Sequence, residues 1–111
     1  MEKKNLFVIP AALPTEEFIE LLVEKPGLRI ERIISTGQIS PPDFWYDQEE
    51  VEWVTVLQGE ATLQWEAGNR TLMHAGDCLL IPSHVKHRVA ETSQEPPCVW
   101  LAVFIAPNSD R

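Results

Sequence analysis

The sequence predicts an all-β domain, a closed barrel or sandwich, with one short helix in front. Two observations carry that reading. From Glu52 onward, six short apolar or alternating runs recur about 8 to 12 residues apart, the spacing of small β-sandwiches and barrels. Between them fall turn signals at Gln58-Gly59, Ala67-Gly68-Asn69, Ala75-Gly76, Pro82-Ser83 and Glu95-Pro96-Pro97.

In chain order, Leu6 to Ile9 reads as a short strand, and Thr15 as the N-cap of a helix running through Glu24. Phe18, Leu21 and Leu22 share one face of that helix, and Pro26-Gly27 stops it. Leu28 to Ser35 alternates apolar Leu28, Ile30 and Ile33-Ile34 with Arg29, Glu31 and Arg32, a half-buried strand with a slip near Ile33. Gln38 to Pro42 is a loop with two consecutive prolines. Strands then follow at Glu52–Leu57, Ala61–Trp65, Arg70–His74, Asp77–Ile81, His87–Glu91 and Cys98–Ile105. The 111 residues form one domain: an N-terminal strand and helix over 1–28, a barrel over 29–105 and a polar tail over 106–111. A chain of this length buries roughly two thirds of its unfolded surface, so folding needs neither disulfide nor metal.

Composition narrows the function. Seventeen acidic against nine basic side chains give a formal charge of -8, which repels phosphate backbones and anionic headgroups and argues against nucleic-acid and membrane partners. Cys78 and Cys98 have no CxxC spacing and sit in apolar runs, where a small thiol packs. Pro10 and Pro14 break the apolar stretch after Met1-Glu2-Lys3-Lys4, leaving no signal-like segment, so a cytoplasmic location is expected.

Two stretches carry chemistry. The first is Gly76, five residues, Pro82, Ser83, His84, two residues and His87; the second is Glu52, six residues and Gly59. Both resemble the paired motifs of the cupin superfamily, whose second motif ends in a metal-binding histidine and whose first joins two histidines to a glutamate. The stretch from Gly76 departs from the second motif in two ways: His84 stands where the family has glycine, and Glu91 where it often has asparagine. The two histidines of the first motif are absent. With a three-residue spacer before Glu52, Tyr46 and Gln48 occupy their places; with a four-residue spacer, Trp45 and Asp47 do. The resemblance implies a double-stranded β-helix, the RmlC-like jelly-roll barrel, over about Arg29 to Ile105.

Alternation along a strand puts Glu52, Val54 and Val56 on one face. A carboxylate heading such an aliphatic row must be paired, protonated or metal-bound, because a bare buried charge is costly. By the resemblance, His87 is its partner. Glu52 and His87, with oxygen donors from Gln48, Asp47 or Tyr46, make a mixed site suited to iron, manganese, nickel or zinc. Fewer imidazoles mean a weaker site than the family's three histidines and one glutamate. The expected function is therefore a divalent-metal barrel taking a small-molecule substrate at its mouth. Dioxygenation, isomerisation or epimerisation, and decarboxylation all remain open. The alternative is a metal-free ligand-binding or sensor barrel. His84 is expected at the rim and His74 at the surface. Trp100 to Ile105 is apolar on both faces, which calls for cover from the N-terminal helix or from a second subunit, and a homodimer is expected.

Overall fold

The computed structural model describes residues 1–107, so residues 108–111 of the expected tail lie outside the described residues. Eight strands follow one another: β1 (Phe18–Lys25), β2 (Leu28–Ser35), β3 (Val51–Gln58), β4 (Glu60–Trp65), β5 (Arg70–His74), β6 (Cys78–Ile81), β7 (His87–Thr92) and β8 (Cys98–Ile105). They form two antiparallel sheets, one of five strands in the order β1-β2-β8-β3-β6 and one of three in the order β5-β4-β7. The crossovers between sheets are those of a jelly roll.

The helix expected over Thr15 to Glu24 is absent; that segment is the edge strand β1. Its apolar residues satisfy two periods at once, and tertiary pairing decides between them. Opposite β2, Glu20 falls directly across from Arg32, whose guanidinium takes the carboxylate at 2.7 and 2.9 Å. A helix would forfeit that pair. No slip occurs near Ile33, where β2 runs in continuous register with β8; the irregularity lies in β1, between Leu21 and Val23. Leu6 to Ile9 is not a strand either. Instead the carbonyls of Leu6 and Val8 accept hydrogen bonds from Arg32, so this segment lies across the outer face of the large sheet and buries the guanidinium. Among the described residues no helix is long and apolar enough to cross a membrane.

The core fills the space between the sheets with Val54, Val56, Leu63, Met73, Ile81, Cys98, Trp100, Ala102 and Phe104. Gly59, the glycine of the first motif, makes the turn that carries the chain from one sheet to the other. At φ 77° its backbone is left-handed, and a Cβ there would lie 2.8 Å from the Pro97 carbonyl oxygen and nearer still to the Ser93 hydroxyl. Cys98 is fully buried, and burial pushes its thiol up to about 12, whereas Cys78 is exposed rather than packed.

Candidate functional site

A pocket of about 290 Å³ opens between the sheets, floored by Val54, Leu63, Ile81 and Val89. Strand β3 projects Glu52 into it from the same face as Val54, as strand alternation requires. From the opposite sheet β7 contributes His87 at its first residue, 4% exposed. The Nδ1 of His87 bonds the Val85 carbonyl at 2.9 Å, which turns Nε2 toward the cavity. There the Glu52 carboxylate stands 3.6 Å away, an ion-pair distance rather than a hydrogen bond.

The two spacings left open by the sequence are resolved by a backbone bridge. Tyr46 and His87 exchange N–H···O bonds at 2.7 and 3.2 Å, so they are directly opposed and their side chains share a face. The rings stack at 5.4 Å between centroids, 24° apart. Period two then brings Gln48 inward as well, where its amide N–H donates to Glu52 at 3.3 Å. Trp45 and Asp47 fall on the other side. The Asp47 carboxylate meets Nδ1 of His84 at 2.7 Å, an exposed pair at the rim and not part of the pocket lining. His84 has φ 60°, the left-handed conformation that the motif's usual glycine adopts freely. Its amide bonds the Gln48 carbonyl, tying the two motifs together.

Electrostatics follow from this placement. Burial alone would push the His87 imidazole down, but the Glu52 carboxylate opposite and the Val85 carbonyl outweigh it and hold the imidazole above its ordinary value. Burial, with Glu17 and Glu52 nearby, pushes the Tyr46 phenol up.

Several lining groups escaped the sequence reading. Arg29, Glu31 and Ile33 face the pocket, while Leu28 and Ile30 face outward, so the polar residues of β2 are the inner ones near its start. Nothing in the alternation of β2 distinguishes its two faces. Arg29 lies 4.0 Å over the Phe104 ring and bonds Glu31 at 2.5 Å and Glu50 at 2.6 Å. Glu17, just ahead of β1, also lines the pocket.

The cupin domain family model matches residues 31–104. The chain belongs to the cupin family. The crystal structure of a putative mannose-6-phosphate isomerase from Ralstonia eutropha superposes on this cupin with a TM-score of 0.89 at 44% identity, covering 96% of this chain and all of that one. An RmlC-like cupin from Desulfovibrio desulfuricans gives 0.72 at 20% identity, over 97% of this chain and 99% of that chain. The FeII form of HppE gives 0.68 at 20% identity, over 80% of this chain and half of that one. No curated protein matches the sequence significantly.

The donor set of this cupin does not match the family's three imidazoles and one carboxylate. Among the described residues no three His, Cys, Asp or Glu side chains converge as metal ligands. Gln48 and Tyr46 stand in the two vacated positions, and the Gln48 amide points its N–H, not its oxygen, at Glu52. Amide and phenol are weak ligands for borderline divalent ions.

Proposed function

We propose that this cupin binds a small organic molecule between its sheets, with Glu52 and His87 as the polar anchor and proton-exchanging pair and with no divalent ion required. One observation carries the reading: a nearly fully buried imidazole, fixed by Val85 and stacked under Tyr46, aims Nε2 into a cavity without a hydrogen-bond partner there. An apolar pocket with a few convergent polar groups is the usual setting of a small organic ligand, and Glu52 and His87 supply those groups here. An acid and a base side by side on one pocket lining suit proton transfer, the step isomerisations and epimerisations need.

The sugar phosphate in the name of the Ralstonia protein is not carried over. A phosphate would need an uncommitted cation, and Arg29 is already taken by two carboxylates. A divalent ion held by Glu52 and His87 with Gln48 or Tyr46 is the second reading, favoured by the convergence of one imidazole and one carboxylate. For the outer face of the large sheet we propose a second copy of the chain, since Leu80 and Ile105 there are exposed beside Trp53 and Val103; the mass in solution tests this.

The pocket reading is tested by screening small organic fragments against labelled protein by NMR. Shifts gathered at Tyr46, His87 and Trp100 are expected. Binding confined to the groove beside Leu72 and Glu91 would count against it.

A further inference from the structure

Resting on the pocket reading, we infer that the ligand is a small organic cation, an amine on an apolar body, and not an anion. Three carboxylates line the cavity, Glu17, Glu31 and Glu52, against one guanidinium, Arg29. Arg29 cannot offset all three, because Glu31 and Glu50 both hold it and leave that group one negative charge in excess. His87 balances Glu52 only when protonated. Glu17 has no cationic partner among the described residues; its Oε2 accepts from the Ser35 hydroxyl at 2.6 Å, and Ser35 in turn accepts from Nε1 of Trp100 at 3.2 Å. That chain fixes a carboxylate on the pocket lining and ties it to the Trp100 indole.

The charge alone would say little, but it surrounds a built cavity. The His87 side chain is nearly fully buried with Nε2 turned to the cavity, and the Trp100 and Phe104 rings form an apolar side. An ammonium near Glu17 would gain a charge-assisted hydrogen bond, while its apolar body fills the space over Val54 and Leu63. A carboxylate or phosphate in the same place meets uncompensated negative charge at short range.

Three probes on one phenyl body decide it: benzylamine, benzyl alcohol and benzoate, titrated at low salt and neutral pH while the Trp100 indole N–H is followed by NMR. Benzylamine is expected to bind about tenfold more tightly than benzyl alcohol, with benzoate weakest. Glu17→Gln keeps an acceptor for Ser35 and should remove most of the amine's advantage while leaving benzyl alcohol unchanged. Added salt should weaken benzylamine selectively. Binding of benzyl alcohol or benzoate with no advantage for the amine would overturn the cation inference and leave the pocket reading standing. An amine advantage that survives both Glu17→Gln and salt would also overturn it. If none of the three probes moves any pocket signal, both fall together.

Discussion

The Glu52 carboxylate faces Nε2 of His87 at 3.6 Å, across the gap between the two sheets. One acid and one imidazole thus face each other beside the apolar core that joins the sheets, and the consequences of that pairing are measurable.

The first concerns pH. His87 is held above its ordinary value against the opposing effect of burial, chiefly by Glu52 and then by the Val85 carbonyl. A group whose value is raised on folding stabilises the protein fully below its unfolded value, about 6.5, and loses that contribution as pH rises through the folded one. The His87 ring signals should therefore titrate with a midpoint above 6.5, the free-imidazole value. In Glu52→Gln burial is left with only Val85 against it, and the midpoint should drop. A midpoint indifferent to Glu52→Gln would show that the two side chains do not interact.

Truncating the imidazole tests the pairing from the other side. His87→Ala leaves Glu52 with Gln48 alone and removes the ring that Tyr46 covers. A loss of about 2 kcal/mol is expected by urea denaturation of metal-free protein. In Glu52→Gln the same truncation should cost less by about 1 kcal/mol, which is the coupling between the pair. Additive losses would contradict it.

Gly59 makes a purely steric prediction. Gly59→Ala drives a Cβ into the Pro97 carbonyl and the Ser93 hydroxyl from a left-handed backbone, so about 3 kcal/mol or more should be lost. Gly68, also at positive φ but with open space around it, should cost only about 1 kcal/mol on the same change. Equal costs at both positions would show that the Gly59 turn is looser than these distances.

Arg32 organises the N-terminal segment. It is 3% exposed and joins Glu20 to the carbonyls of Leu6 and Val8. Arg32→Ala leaves Glu20 with Lys4 alone and frees those carbonyls. A loss of about 3 kcal/mol is expected, with earlier proteolysis before residue 10 and unchanged ligand binding in the pocket. Proteolysis that starts elsewhere would contradict the strap.

The barrel was legible because its strands carry their own punctuation. The boundaries of β2, β5 and β8 follow from their runs and turn residues, and Gly59 and Gly76 mark turns at positive φ. At β1 the reading failed, since Phe18, Leu21 and Leu22 suit a helix locally and only the partnership of Glu20 with Arg32, twelve residues on, selects a strand. At the site, Glu52 and His87 announce themselves as a carboxylate in an aliphatic row and a motif histidine. The choice between Tyr46 with Gln48 and Trp45 with Asp47 was not legible, because it depends on the bridge between Tyr46 and His87. Arg29 and Glu31 were missed for a similar reason: an alternating strand does not say which face is inside until β8 pairs with it.

Whether Glu52 and His87 form a pair that faces an organic ligand without a metal is tested most directly by the metal content of protein purified without a histidine tag, alongside Glu52→Gln and His87→Asn. Well under one divalent ion per chain is expected in all three. One ion per chain in the natural protein, lost in either variant, would contradict it and make the pair two ligands of a metal centre.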